Sequence, residues 1–539
     1  MVFSQITTQP GEVISIAINT DYVDSPLTVY KQLTKNIQHS LLLESAEINS
    51  KDNLKSLMLI DAAVTFTCNG NQVSINALND NGLSALTKLQ QVFKEEYPEV
   101  KISLDNKSKM IVEFSPISEC ISEDNRLKQT NAFEALRIVV NKIKHNDEPF
   151  ALFLGGVFAY DMIANFESLP DAADGENTCP DFVFYLAETM VVIDHQNKST
   201  EIIGNVFTGE NAYVNCFSVG KRIEQIKQSI KNVVMTKETF GFGLETDKTP
   251  VNVNITDEQF CDTVNSLKNN IVQGDIFQVV PSRCFSLSCD FPLDAYRHLK
   301  EDNPSPYMFY LNHPDFVLFG ASPESALKFD VQDRHVEVYP IAGTRMRGFD
   351  SNGKVNLDLD ARIELELRSD KKEVAEHLML VDLARNDVAR ISETGTRCVK
   401  ELLKVDRYSY VMHLVSRVVG TLRKDLDALH AYQACMNMGT LVGAPKIKAA
   451  SLIREVEEKR RGSYGGAVGY INGKGDMDTC IVIRSAFVKN NTAYIQAGAG
   501  VVFDSEPQAE ADETLNKAQA VIRAVQASQA LQLICEKDV

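Results

Sequence analysis

Two pairs of glutamates have a spacing that could support chemistry. Glu373 and Glu376 are three residues apart, and Glu510 and Glu513 repeat this spacing about 140 residues later. Residues three apart on a helix share a face, and two carboxylates on a half-buried face need a positive partner. Four converging carboxylates would suit Mg2+, because this cation binds a few carboxylates and keeps positions for water and an anionic substrate. Alternatively, both pairs are solvated acids, and their spacing leaves this question open.

A second group of residues is suited to binding carboxylates. Gly498 and Gly500 follow a predicted strand, where glycine lets backbone N–H groups approach an anion closely. Arg484, on another predicted strand, carries the guanidinium fork that matches a carboxylate. Each feature also has a purely structural interpretation, a β-bulge for the glycines and a surface ion pair for the arginine.

Two predicted helices must position the glutamates. The first covers residues 370–390, with Asp370 as N-cap and a capping-box arrangement with Glu373. Its buried face is predicted from the spacing of Val374, Leu378 and Val381. The second is the final helix, which is predicted to begin at Pro507, just after Ser505.

The remaining pattern predicts an α+β fold. Residues 30–43 have helical spacing, Asn69-Gly70-Asn71 indicates a hairpin turn, and residues 256–273 form a helix that ends at Gly274. Strands and helices do not alternate as βαβ units, so large antiparallel β-sheets packed as a sandwich with flanking helices are expected. A polar stretch over 237–254 predicts a boundary between region 1–250 and region 251–530.

The composition argues against several classes of protein. The chain has 539 residues, of which 44 % are hydrophobic and 24 % charged, as in soluble globular proteins. A formal charge of −18 disfavours a nucleic-acid partner. The sequence has neither a signal-peptide pattern nor an apolar run of membrane-spanning length, and the spacing of its 11 cysteines favours reduced thiols. A cytoplasmic protein without membrane partners is therefore expected.

Six motifs occur in order in the second half of the chain. They are PIAGTRMRG (340–348), AEHLMLVDLARND (375–387), GAPKIKA (443–449), RRGSYGGAVGY (460–470), IVIRS (481–485) and QAGAGVVFDSEP (496–507). Together with LLES (42–45) near the start, they closely resemble the chorismate-utilising enzymes, and among them most closely the large subunits of anthranilate synthase. The resemblance covers nearly the whole chain. It implies the chorismate-binding enzyme fold, with region 1–250 as the regulatory and glutaminase-contact part and region 251–530 as the catalytic domain.

The resemblance implies a substrate site with Mg2+ as its cofactor. The metal ligands of the family correspond to Glu376 and Glu513, with Glu373 and Glu510 as partners through water. The residues implied to bind the substrate are Gly343 and Thr344 at its ring and Tyr464, Arg484, Gly498, Ala499 and Gly500 at its enolpyruvyl carboxylate. The implied catalytic residues are Glu324, the general acid for the departing C4 hydroxyl, together with His413, Thr344 and Gln278.

Two positions distinguish members of the family. Where the water-adding enzymes have a lysine, this chain has Gln278, which favours ammonia as the nucleophile and disfavours an isochorismate synthase. Where aminodeoxychorismate synthases usually have a nucleophilic lysine, it has Ala342. The expected enzyme is therefore an anthranilate synthase, a carbon–oxygen lyase that forms anthranilate and pyruvate at the first step of tryptophan biosynthesis. The alternatives are aminodeoxychorismate synthase and a catalytically silent tryptophan-binding subunit, although Glu324, Glu376 and Glu513 are all present.

A partner and an inhibitor are also implied. The sequence has no Gly-x-Cys-x-Gly nucleophile elbow, so a separate glutamine amidotransferase subunit would supply ammonia within a heterotetramer. Feedback inhibition by L-tryptophan is implied by the residues Glu44, Ser45, Pro306, Tyr307 and Met308. The chain itself contains no tryptophan, which would suit an enzyme made when tryptophan is scarce.

Overall fold

The computed structural model describes residues 9–45, 54–117, 122–146, 148–232, 249–350, 353–408 and 411–535, with side chains up to residue 529. Most of the predicted boundary segment 237–254 lies outside these residues, so the boundary near residue 250 stays a prediction. The predicted α+β fold with antiparallel pairing is confirmed, and 22 of the described strands join one network that closes on itself.

The strands are β1 (Val13–Thr20), β2 (Ser40–Glu44), β3 (Lys55–Asn69), β4 (Gln72–Ala77), β5 (Lys101–Asn106), β6 (Lys109–Glu113), β7 (Phe153–Phe158), β8 (Phe182–Asp194), β9 (Ser199–Phe207), β10 (Asn252–Val253), β11 (Gln278–Val279), β12 (Ser282–Ser288), β13 (Tyr307–Asn312), β14 (Val317–Ser322), β15 (Ser325–Asp330), β16 (His335–Val338), β17 (Ile341–Met346), β18 (Cys398–Arg407), β19 (Val411–Thr421), β20 (Gly443–Ala444), β21 (Ala467–Asn472), β22 (Met477–Ile481), β23 (Ser485–Lys489) and β24 (Thr492–Gly498).

The α-helices are α1 (Pro26–Leu33), α2 (Asp80–Glu96), α3 (Glu123–Leu127), α4 (Glu134–Lys142), α5 (Ala212–Lys231), α6 (Asp257–Gln273), α7 (Pro292–Asp302), α8 (Leu357–Ser369), α9 (Lys371–Ile391), α10 (Ala428–Cys435), α11 (Gly439–Val442), α12 (Lys446–Glu457) and α13 (Pro507–Cys535). A 3-10 helix covers Tyr160–Asn165. None of the described helices is long and apolar enough to cross a membrane.

Strands from both parts of the chain pair with each other. β2 lies between β3 and β13, with Leu42 opposite Tyr310, and β7 pairs with β21. The inner strand β8 is buried along nearly its whole length, and its sequence is apolar apart from Glu188 and Thr189 near its middle and Asp194 at its end. Residues before and after position 250 therefore share one hydrogen-bonded sheet network.

One predicted helix is in part a strand. Residues 30–43 were expected to be helical, but α1 ends at Leu33 and Leu41–Leu43 belong to β2. A short apolar run is compatible with a buried strand or a buried helix, and pairing with two neighbouring strands decides for the strand here. The predicted turn at Gly70 is confirmed, since β3 and β4 flank it and Gly70 has a φ of 58°.

The two predicted helices that carry the glutamates are confirmed. The Asp370 side chain accepts hydrogen bonds from the backbone N–H groups of Lys372 and Glu373 at the start of α9. The buried side of α9 includes Leu380 and Val381, whereas the predicted core residue Leu378 is 42 % exposed. α13 begins at Pro507 as predicted and packs against α6, α7 and β24.

Candidate active site

The carboxylates of α9 and α13 influence one another. Burial raises the pKa of the Glu376 carboxyl, and the negative charges of Glu373 and Glu513 raise it further. Burial likewise raises the pKa of Glu510, to which Glu513 adds. Two helices that are far apart in sequence therefore place acidic side chains within electrostatic reach of each other.

These acids are not arranged as the coordination shell of a metal ion. No group of three or more His, Cys, Asp or Glu side chains in the described part of the chain is arranged to hold a metal ion. Glu373 accepts a hydrogen bond from Arg345 at 2.7 Å, and Glu513 is paired with Lys517 at 2.7 Å. Oxygen donors with mutually unfavourable negative charge are nevertheless the donor set that a hard divalent cation prefers.

Glycines bring backbone close to the glutamates. A Cβ atom on Gly500 would lie 2.9 Å from Nε2 of Gln278 and 3.3 Å from Oε1 of Glu376. A Cβ atom on Gly498 would lie 2.8 Å from the Pro281 carbonyl oxygen and 2.9 Å from the Tyr464 hydroxyl. A side chain would therefore crowd this surface, which favours the close-approach interpretation of both glycines.

Neighbouring backbone groups hold this glycine segment in place. The Ala499 N–H donates to the Pro281 carbonyl at 3.1 Å, so this amide is already engaged within the protein. Lys517 joins α13 to the same segment by donating to the Gly498 carbonyl at 3.0 Å. The end of β24 is thus fixed from two sides.

Arg484 lies on a bend between β22 and β23 and not within a strand, as the sequence had suggested. Its φ of 48° is in the left-handed region, which a strand does not use and which costs free energy in a non-glycine residue. No described residue forms a hydrogen bond or an ion pair with its guanidinium, and burial lowers its pKa. A partly buried guanidinium that no described residue hydrogen-bonds is suited to binding an anion.

Glu324 has the properties of a general acid. The residue is 6 % exposed, and burial raises the pKa of its carboxyl to about 8, although a hydrogen bond that Thr440 donates at 3.0 Å opposes the shift. The positive charges of Lys517 and Arg484 oppose it further. A cavity of about 20 Å3, lined also by Leu380 of α9, adjoins Glu324 and Thr440. The sequence had not suggested Thr440, which belongs to no charge or spacing pattern.

His413 and Thr344 lie opposite each other on β19 and β17, and the Thr344 hydroxyl is 2.8 Å from Nδ1 of His413. Burial and the charge of Arg484 lower the histidine pKa to about 3, while a hydrogen bond to the Gly343 backbone raises it. His413 is therefore neutral near pH 7 and is better suited to orienting Thr344 than to holding a proton. Gly343, with a φ of 79°, passes close to Glu373.

The residues implied to bind tryptophan lie where β2 meets β13. Glu44 is opposite Met308 and accepts hydrogen bonds from Tyr296 at 2.6 Å and Lys300 at 2.7 Å. Continuing this register by one residue places Ser45 beside Tyr307. Oγ of Ser45 is buried and has no hydrogen-bond partner among the described residues, and such a group gains by meeting a polar ligand.

Comparisons with known proteins identify the family of the chain. A family model described as "chorismate binding enzyme" matches residues 53–523, and the chain belongs to this family. It is 54 % identical over 519 residues to anthranilate synthase component 1 of Vibrio cholerae, covering 96 % of this chain and 97 % of that one. The corresponding protein of Escherichia coli K12 is 52 % identical over 505 residues, covering 94 % and 95 %. The predicted relationship to the anthranilate synthase large subunits is thereby confirmed.

Solved structures show the same fold. Anthranilate synthase component I from Streptococcus pneumoniae matches with a TM-score of 0.66 and 29 % identity, over 88 % of this chain and 93 % of that one. The menaquinone-specific isochorismate synthase MenF of Escherichia coli matches with a TM-score of 0.65 over 97 % of each chain. At 17 % identity, the second match supports the fold alone.

Proposed function

We propose that this chain converts chorismate and ammonia to anthranilate, pyruvate and water at the first step of tryptophan biosynthesis. The observation that carries the proposal is a buried Glu324, whose pKa is raised to about 8, within electrostatic reach of an Arg484 guanidinium that no described residue hydrogen-bonds. Chorismate offers a hydroxyl that must leave with a proton and carboxylates that need cations. Relatives that are about half identical to the chain carry the name of this enzyme.

In the first step ammonia forms a bond to C2 of chorismate while the C4–O bond breaks. Glu324 donates its proton to the departing hydroxyl, which leaves as water. A proton from the new ammonium group restores the balance, giving aminodeoxyisochorismate. Arg484, Tyr464 and the segment Gly498–Gly500 would hold the enolpyruvyl carboxylate, and Thr344, oriented by His413, would contact the ring.

In the second step the C2 hydrogen and the enolpyruvyl group are lost from the same intermediate. Breaking the C3–O bond releases pyruvate, whose methyl group takes up one proton, and the ring becomes aromatic as anthranilate. The neutral His413 lies in this site, but its low pKa makes positioning of Thr344 its principal role in our proposal.

Gln278 would select the nucleophile. Its amide group donates to Oε1 of Glu376 at 3.0 Å, while its own oxygen is buried without a partner among the described residues. This oxygen can accept an N–H bond from ammonia, whereas an amide lacks the basicity to activate water. Both features favour ammonia over water.

Magnesium is the proposed cofactor. Glu376 and Glu513 would hold it, with Glu373 and Glu510 acting through water, and the fit rests on carboxylates whose mutual repulsion a cation would relieve. When bound, Mg2+ would neutralise the ring carboxylate and polarise the reacting ring. Arg345 pairs with Glu373, and Lys517 pairs with Glu513. When Mg2+ binds, each cation would have to share its carboxylate with the metal or release it.

Two further parts of the proposal concern partners. A separate glutamine amidotransferase would supply ammonia within a heteromeric complex, and free ammonium would support activity of this chain alone. L-Tryptophan would inhibit by binding at Glu44, Ser45, Pro306, Tyr307 and Met308 and favouring a state with poor affinity for chorismate. We also propose a cytoplasmic location, since the cysteines whose side chains are described are free thiols.

The test is anthranilate fluorescence from the purified chain with chorismate, Mg2+ and an ammonium salt, with and without L-tryptophan. We expect anthranilate to form and tryptophan to suppress it. Consumption of chorismate without anthranilate would instead identify an aminodeoxychorismate synthase. No consumption under any condition, with tryptophan still bound, would identify a regulatory subunit.

A further inference from the structure

Arg461 is a buried arginine that the proposed chemistry does not use. It is 1 % exposed and follows the end of α12. Its Nε and Nη2 donate to the two carboxylate oxygens of Glu457 at 2.9 and 2.6 Å. Nη1 donates to the Leu441 carbonyl at 2.9 Å, and Nη2 also donates to the Val280 carbonyl at 2.6 Å. A planar fork bound in this way fixes several chain segments relative to one another.

Both carbonyl partners belong to walls of the proposed active site. Val280 directly follows β11, which carries Gln278, and the carbonyl of the next residue, Pro281, accepts the Ala499 N–H. Leu441 is the neighbour of Thr440, which donates to Glu324. The fork therefore sets the distance between the segment of the nucleophile-selecting glutamine and the segment that holds the general acid.

Two tyrosine rings enclose the same guanidinium. Its Cζ lies 4.8 Å from the centre of the Tyr160 ring and 5.6 Å from that of Tyr464, and both distances are typical of cation–π contacts. Tyr464 is a proposed ligand of the enolpyruvyl carboxylate. Tyr160 belongs to the first part of the chain and donates its backbone N–H to the Gly462 carbonyl at 2.8 Å.

We infer that Arg461 is a positioning residue that holds the segments of Gln278, Thr440 and Tyr464 in one arrangement and fastens them, through Tyr160, to the first part of the chain. This inference rests on the proposed function, because the arrangement serves turnover of chorismate. Arg461 touches no substrate in this account and acts only through the residues it holds.

The first test is Arg461→Lys. Lysine keeps the charge, but its donors diverge from a single nitrogen and cannot reproduce the bidentate contact with Glu457 together with two carbonyl contacts. Misplacement of site groups by 1 Å costs about 100-fold in rate. We expect kcat/KM for chorismate to fall by about 10- to 100-fold, with KM raised because Tyr464 and Ala499 lie in the carboxylate-binding part.

Arg137→Lys is the matched control. Arg137 lies on α4 with its side chain 11 % exposed, donates to the two carboxylate oxygens of Asp427 at 2.5 and 3.3 Å and pairs with Glu134, and none of these residues lies in the segments of Gln278, Thr440 or Tyr464. Both variants should lower the melting temperature, but only Arg461→Lys should raise KM. Equal kinetic effects of the two variants, or a change in melting temperature alone for Arg461→Lys, would overturn the positioning role.

A second pair of variants covers the case in which Arg461→Lys does not fold. Tyr160→Leu removes one enclosing ring and leaves every hydrogen bond of Arg461 in place. Tyr160→Phe is its control, because the Tyr160 hydroxyl is buried without a partner among the described residues. We expect a raised KM for Tyr160→Leu and wild-type kinetics for Tyr160→Phe, and unchanged KM in both would contradict the inference. A wild-type chain that does not turn over chorismate would instead overturn the proposed function itself.

Discussion

The side-chain amide of Gln278 donates a hydrogen bond to Oε1 of Glu376 at 3.0 Å. This contact joins β11 to α9 and connects the position that distinguishes ammonia-using from water-using relatives to a proposed magnesium ligand. The contact also fixes the orientation of the amide. Because the NH2 group is bonded to Glu376, the amide oxygen must point away from that carboxylate. The proposed selection of the nucleophile and the proposed metal site would therefore be adjacent.

Replacing the proposed general acid should abolish most activity. We expect Glu324→Gln to lower kcat for anthranilate formation by about 100- to 10,000-fold, the usual contribution of a positioned acid, with little change in KM. Glu337→Gln is a suitable control, because Glu337 is equally buried but pairs with His335 and Arg417. A Glu324→Gln enzyme within about fivefold of wild-type kcat would remove this role, given that range.

The pH dependence should report the same carboxyl. Because the pKa of Glu324 is raised to about 8, the acid form prevails below that pH, and kcat, corrected for the concentration of free ammonia, should fall as the pH rises through about 8. Thr440 stabilises the ionised form by donating to it, so Thr440→Val should raise the pKa and move the falling limb to higher pH. A limb that stays in place or moves to lower pH would show that Glu324 does not control it.

Metal removal should abolish turnover reversibly. We expect EDTA to stop anthranilate formation and added Mg2+ to restore it. Glu376→Gln and Glu513→Gln should each raise the Mg2+ concentration for half-maximal activity by about 10-fold or more, since even outer partners of metal ligands contribute about that much. Asp512→Asn, an exposed neighbour on α13, should not change it. Equal Mg2+ requirements for all three variants would contradict the proposed ligands.

Binding of L-tryptophan can be measured by its indole fluorescence without a contribution from tryptophan residues of the protein. The chain contains no tryptophan, so indole fluorescence comes from added ligand alone. Ser45→Ala should weaken L-tryptophan binding by about 2- to 10-fold, the loss expected for one hydrogen bond, and leave kcat without inhibitor unchanged. The control is Ser40→Ala at the start of β2, the strand that Ser45 follows, because the Ser40 hydroxyl already bonds to Tyr30. Equal affinities of wild type and Ser45→Ala would place the ligand elsewhere.

Local patterns in the sequence determined where several helices and turns of this protein begin and end. The helix predicted over residues 256–273 forms as α6 and ends at Gly274 as predicted, with Thr256 as its N-cap in a complete capping box. Asp370 likewise starts α9, but its predicted reciprocal bond from Glu373 does not form, because Glu373 turns to Arg345. Caps and turns depend on residues a few positions apart, so the sequence specifies them directly.

The tertiary structure decided the features that depend on distant partners. Leu41–Leu43 form a strand because β3 and β13 pair with its backbone on both sides. Arg484 adopts a left-handed backbone conformation in the bend between β22 and β23. The approach of α9 to α13 and the roles of Thr440 and Arg461 arise from contacts between segments separated by tens to hundreds of residues. Such contacts follow from how whole sheets and helices pack, and no local spacing encodes them.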